Sequence, residues 1–159
     1  MWTEIFFIQL CASFVGTVTY AIFFRLHTRY LVAAAIGGTL TFFLYYVIET
    51  AIGSVFAAAF VASAVSALYA EICARIKQAP AIIFLLPSAI PIVPGGSLYR
   101  TMYYLISKET ELSYFYLGQT ISVAIGIAGG IALISLIVHL SRELIRQLRE
   151  KRKVKAKKI

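Results

Sequence analysis

AIIFLLPSAIPIVPGGSLYRTMYYL, residues 81–105, reads as a hydrophobic segment that interrupts its own helix. It is apolar enough to enter a bilayer, yet it holds Pro87, Pro91, Pro94, Gly95, Gly96 and Arg100. Proline removes a backbone donor and its ring clashes with the carbonyl four residues earlier, so a regular helix does not run through. Glycines beside the prolines favour a break over a mild kink. The pattern places Ser97 as the N-cap of a second helix starting near Leu98. Non-helical backbone at bilayer depth must be buried in protein or line a watery cavity, because lipid cannot satisfy its N–H and C=O groups. The break is therefore a feature that faces protein or solvent.

The rest of the chain sets this segment in context. Of 159 residues 60% are hydrophobic and only 14% are charged, well away from the balance of a soluble domain. Uncharged stretches run 5–24, 30–48, 50–70, 78–99 and 112–141, each near the roughly 20 residues that cross about 30 Å of hydrocarbon. The expectation is an all-α polytopic membrane protein of five transmembrane helices, the fourth broken at the Pro-Gly motif. Helices are expected over 3–24, 31–48 and 52–73, and from 112 to 141. The transmembrane domain is 1–141. A basic tail, 142–159, continues the last helix and frays after Lys151. Met1 to Glu4 carry no Lys or Arg, so the first block reads as a retained helix and not a signal peptide.

Charge gives the orientation. Arg25, Arg29, Arg75 and Lys77 and nine basic residues of the tail fall on one set of alternate junctions. Glu4, Glu49, Glu109 and Glu111 mark the other set, opposed only by Arg100 and Lys108. The positive-inside rule then places the N-terminus outside and the C-terminus in the cytoplasm. The net charge of +8 is concentrated in the tail, which suits anionic lipid head groups. No aromatic platform or nucleic-acid-binding motif accompanies that charge, so nucleic acid is not an expected partner.

The chemistry available is that of binding, not of bond making. A helix that starts inside the membrane aims free N–H groups and partial positive charge at what lies before it. Pro94, Gly95, Gly96, Ser97 and Arg100 are thus the expected substrate-binding residues, with the glycines allowing close approach to the backbone. Near the start of a half-helix an arginine is disfavoured by the dipole and calls for an anion, and a carboxylate suits its fork. A plain position in an outer interfacial belt with Tyr99, Tyr103 and Tyr104 is the alternative for Arg100. Glu49, closing the second helix, and Glu71 are the proton-coupling candidates. For Glu71 an i,i+4 ion pair with Arg75 is the competing expectation. His27, His139, Cys11 and Cys73 stand in no metal-ligand or catalytic spacing, and no nucleophile–base set or phosphate loop occurs. No enzyme activity, metal or cofactor is expected. Small residues recur every four positions at Ala58, Ala62, Ser66 and Ala70, at Ala59, Ser63 and Ala67, at Ala33, Gly37 and Thr41, and at Gly126 and Gly130. Such faces let helices approach closely, within a tight bundle or against a helical partner.

The segment PIVPGGSLYR, residues 91–100, resembles the Pro-(Ile/Leu)-Val-Pro-Gly-(Gly/Ala)-x-x-Tyr-Arg core of the threonine/serine exporter family. The whole chain is similar in hydropathy and size to the small component of that family, equivalent to the C-terminal half of the longer fused exporters. The resemblance implies a component of a secondary-active exporter in a bacterial inner membrane. It further implies a larger companion membrane subunit of the same family, substrates such as threonine, serine and C4-dicarboxylates, and the proton gradient as driving force. All these substrates carry a carboxylate, as the helix break and Arg100 require. Neither Glu49 nor Glu71 matches a family motif, which puts proton coupling on the partner. A homo-oligomer, a non-transporting scaffold subunit and a passive channel are the other readings the sequence allows.

Overall fold

The computed structural model describes residues 2–156. Among these the chain forms six α-helices and one 3-10 turn, with no strands. They are α1 (Trp2–Phe23), α2 (Thr28–Ile52), α3 (Val55–Lys77), α4 (Ile82–Ala89), the 3-10 turn Ile90–Ile92, α5 (Gly95–Ile106) and α6 (Thr110–Ala156).

The helix ends follow from local chemistry. Gly53, at φ 72°, takes the left-handed position that stops α2, and its N–H bonds the carbonyl of Glu49 at 2.8 Å. Ser54 then caps α3 by accepting the N–H of Ala57. Two residues suffice for this turn, so α2 and α3 run antiparallel. Arg25, Gln78 and Lys108 are the other left-handed positions, each in a connection between helices. The second and third helices start and stop a few residues away from the expected 31–48 and 52–73. The polar Thr28-Arg29 and the Ala74–Lys77 turn prolong them where the bare apolar runs end.

Four helices are long and apolar enough to cross a membrane: α1, α2, α3 and the Thr110–Leu144 part of α6. The pair Ile82–Ile92 and Gly95–Ile106 is bent by 45° and makes a fifth if counted as one span. The all-α polytopic architecture with a broken fourth crossing is therefore what the chain adopts.

Helix α3 forms the centre, with α2 and α4 on one side and α6 on the other. Its two small-residue stripes make this possible. Ala58, Ala59, Ala62, Ser63, Ala67 and Ala70 are all buried. A Cβ on Gly126 would lie 2.8 Å from the carbonyl oxygen of Phe56, and one on Gly130 would collide with Ser63 and Phe60. The ladder Gly126–Phe56, Gly130–Phe60 and Arg142–Glu71 advances in the same sense on both helices, so α3 and α6 are parallel. On α2, Gly37 meets Ser88 and Tyr69, and Gly38 meets Thr17 of α1. These small faces are thus occupied inside the chain by its own helices.

Helix α6 is much longer than its neighbours. Its 47 residues extend about 70 Å, and its apolar 35 residues about 52 Å, against roughly 35 Å for α3. Thr110 to Ile125 lie before the level at which α3 begins, and α5 is the element that packs on them. Among the described residues the helix runs on beyond Lys151 to Ala156, with no Gly or Pro in that charged stretch.

Candidate functional site

The break is built by three prolines in succession. Pro87 lies inside α4, and Pro91 sits in the 3-10 turn that follows. Val93 is extended, at φ −62° and ψ 129°. Pro94, at φ −77° and ψ 48°, makes a tight inverse γ-turn in which the N–H of Gly95 bonds the carbonyl of Val93 at 2.7 Å. The carbonyl of Pro94 accepts the N–H of Leu98 at 3.0 Å, which opens the ladder of α5.

This places the second helix three residues earlier than the sequence suggests. Gly95 is its first residue and Pro94 its cap, so Ser97 is inside the first turn and does not cap. The reason is the proline ring, which fixes Pro94 in a geometry that starts the helix without a side-chain acceptor. One consequence concerns Arg100, which becomes the sixth residue of α5 and not the third. The dipole effect fades within one turn, so it no longer makes Arg100 anomalous.

Two backbone donors remain open. The N–H groups of Gly96 and Ser97 find no acceptor among the described residues. A Cβ on Gly95 or on Gly96 would meet no atom within 4 Å. The other side of the break is rooted, since Ile92 and Pro87 are buried and the 3-10 turn packs on α1 and α2. The first turn of α5 is therefore a fixed, accessible pair of donors at the positive end of a helix.

Arg100 is exposed and turns towards α6. Its guanidinium carbon lies 5.4 Å from the ring centroid of Tyr116, and Nη1 is 3.5 Å from the Tyr116 hydroxyl. Tyr104 stacks on Tyr116 with centroids 5.5 Å apart and planes 5° from parallel. Tyr103 meets Tyr104 edge-on, and Tyr99 stacks on Tyr103. Ser113 donates to the carbonyl of Thr101 at 3.0 Å, which pins α5 to α6. No carboxylate pairs with Arg100 among the described residues; the ion pair found there joins Glu71 and Arg142.

The two proton-coupling candidates, Glu49 and Glu71, make no ion pair with Arg100 among the described residues. Glu49 is half-buried in the last turn of α2, and its carboxylate has no hydrogen bond or ion pair among the described residues. Glu71 bonds Arg142 of α6 at 2.5 Å and not Arg75. Close α3–α6 packing brings the long Arg142 side chain to the Glu71 face, whereas Arg75 remains exposed. Tyr116 is the site residue that the sequence does not reveal. It is 16 positions from Arg100 on another helix, and only the α5–α6 hairpin brings it near.

A family model described as "Threonine/Serine exporter, ThrE" matches residues 9–137. The match runs from within α1 through α2 to α5 and the whole break, and into α6 as far as residue 137. No curated protein and no solved structure matches the chain. The family is one of transporters and the apolar helices are those of a multi-pass membrane protein. Because the model covers most of the sequence, the chain belongs to the threonine/serine exporter family.

Proposed function

We propose that this chain is a component of a secondary-active exporter of small carboxylate-bearing metabolites, either threonine/serine-type amino acids or C4-dicarboxylates. The substrate carboxylate is received at the start of α5 by the N–H groups of Gly96 and Ser97, with Arg100 as the cationic arm. The observation that carries this reading is the pair of unpaired donors at the break, left open by two glycines with free space beside them. Arg100 adds support, since its partners among the described residues are the ring and hydroxyl of Tyr116 and no carboxylate occupies its fork. Half-helix N-termini facing anionic groups are a recurrent solution in secondary transporters.

The transport cycle uses a larger companion membrane subunit and the proton gradient. Glu71 is engaged by Arg142, so it is the weaker proton carrier of the two acids, and the partner supplies the principal one. The protein sits in a bacterial inner membrane with its N-terminus outside and its basic tail facing anionic lipid in the cytoplasm. The distribution of Lys and Arg supports that orientation. Export of labelled threonine, serine and succinate from loaded cells tests the reading. Variants at Gly95 and Arg100, expressed at parental level, should lose export of at least one of the three.

A further inference from the structure

The α1–α2 and α3–α4 connections are both basic. Residues 22–30 hold Arg25 and Arg29, residues 75–83 hold Arg75 and Lys77, and neither stretch contains an Asp or Glu. The two connections close on one buried cluster. Tyr30, Ala74 and Phe84 belong to its centre, and Leu26 of the first connection packs on it together with Ala79, Ala81 and Ile83 of the second. All four cations are exposed, and none makes an ion pair among the described residues. Glu71, the acid nearest to Arg75 in sequence, is already engaged by Arg142.

An apolar groove opens beside that cluster. It has a volume of about 180 Å³ and is lined by Phe24, Leu26, Ile82, Ile83, Leu86 and Pro87. Its walls are thus the chain just after α1 and the length of α4 from its first residue to its buried proline. Arg25 stands between two of the lining residues, so its Cα is about 3.8 Å from each of theirs. Arg29 is held close by. Its guanidinium carbon lies 4.5 Å from the ring centroid of Tyr30, and the guanidinium donates to the Tyr30 hydroxyl. The Tyr30 ring in turn meets that of Phe84 edge-on, with centroids 5.4 Å apart, and Phe84 adjoins Ile83 in the wall. A slot suited to hydrocarbon therefore has two arginines at its mouth.

Groove and charge together call for one amphiphile. An apolar helix would fill the slot and leave Arg25 and Arg29 without anions. A free phosphate would pair with the arginines and leave the slot bare. We propose that one anionic phospholipid binds here, with an acyl chain against Ile82, Leu86 and Pro87 and its phosphate between Arg25 and Arg29. Arginine suits a phosphate because its planar fork donates to two oxygens at once. The attraction of the basic tail to the membrane surface rests on charge alone, whereas this site also selects for the chain. It requires only that the protein spans a bilayer, and it does not rest on the exporter reading.

The test uses the purified full-length chain in a neutral detergent. Its thermal unfolding midpoint is followed as phosphatidylglycerol, phosphatidylcholine or glycerol 3-phosphate is added. A ligand that binds only the folded state raises the midpoint in a saturable way. The expected result is a saturable rise with phosphatidylglycerol and no comparable rise with the other two. Each basic side chain near an anionic lipid strengthens binding by about fivefold, so Arg25→Gln should raise the concentration needed for half the effect by about that factor. Arg25→Gln combined with Arg29→Gln should raise it further. Leu86→Trp fills the groove with every charge in place and should raise it too. Replacing Lys151, Lys153 and Lys155 by Gln should leave it unchanged. Arg25 and Leu86 are exposed, so both single variants should keep the parental midpoint without lipid. No rise with phosphatidylglycerol, or an equal rise with phosphatidylcholine or with glycerol 3-phosphate, overturns the proposal. So does a phosphatidylglycerol response that is unchanged in the double arginine variant or in Leu86→Trp, or one that moves only with the tail lysines.

Discussion

Glu71 Oε2 and Arg142 Nη2 lie 2.5 Å apart, tying α3 to α6 at the end where both helices meet the basic residues. The pair fixes the parallel register that begins at Phe56 and Gly126. The Arg142 side chain is 59% exposed and that of Glu71 19%, so the bond is a partly solvated one. Double-mutant cycles with Glu71→Gln and Arg142→Gln should give a coupling of about 0.2–1 kcal/mol, diminishing at high salt. Proton-driven export should survive Glu71→Gln, as an engaged structural ion pair implies. Export that loses its response to the proton gradient in this variant would restore Glu71 as a carrier.

The small-residue contacts predict opposite outcomes at two glycines of α6. Gly126→Ala places a Cβ against the Phe56 carbonyl, whereas Gly118→Ala enters open space. The first should destabilise the chain by about 1–3 kcal/mol, in keeping with overpacked interiors. The second should be neutral or slightly stabilising, since Ala is the better helix former. Thermal unfolding of the two variants side by side decides the matter, and equal midpoints would mean that α3 does not pack on Gly126.

Much of this was legible in the sequence, and the reasons are specific. The five apolar blocks and the break at Pro94-Gly95 follow from hydropathy and from the missing donors of proline, both of which are local. The small-residue stripes on α3 were also visible, but their occupants were not. A stripe says that something approaches closely, and only the fold shows that Gly126 and Gly37 serve contacts inside the chain. Ser97 misled as a cap because a side-chain acceptor was expected where the Pro94 ring already starts the helix. Tyr116 beside Arg100 and Arg142 beside Glu71 are contacts between separate helices, and no periodicity encodes them.

Orientation is tested by labelling. Thr28 opens α2 and Thr110 opens α6, at junctions that the charge pattern assigns to opposite faces. A cysteine at Thr28 should react only from the cytoplasm and one at Thr110 only from outside, each measured with an impermeant reagent in a Cys11→Ser, Cys73→Ser background. Reaction of both from one side would remove the five-crossing topology.

Gly95 separates folding from function. A Cβ there meets nothing within 4 Å, and the first turn of a helix tolerates a branched side chain. Gly95→Val should therefore reach the membrane and unfold at the parental temperature, yet fail to export, because its side chain fills the approach to the Gly96 and Ser97 donors. Normal export by a folded Gly95→Val protein would show that no substrate comes to that turn.

The most direct measurement is the concentration dependence of export at Arg100. A charged, bidentate contact contributes about 1.5–3 kcal/mol, which is roughly tenfold or more in apparent affinity. Arg100→Lys keeps the charge and loses the planar fork. Export of labelled threonine, serine and succinate should then require at least about tenfold higher internal substrate for half-maximal rate, at unchanged membrane level, by the same energetic scale. Arg100→Gln should be worse. If Arg100→Gln exports all three substrates with parental concentration dependence at parental membrane level, Arg100 belongs to the interfacial tyrosine belt and the carboxylate site at the start of α5 is contradicted.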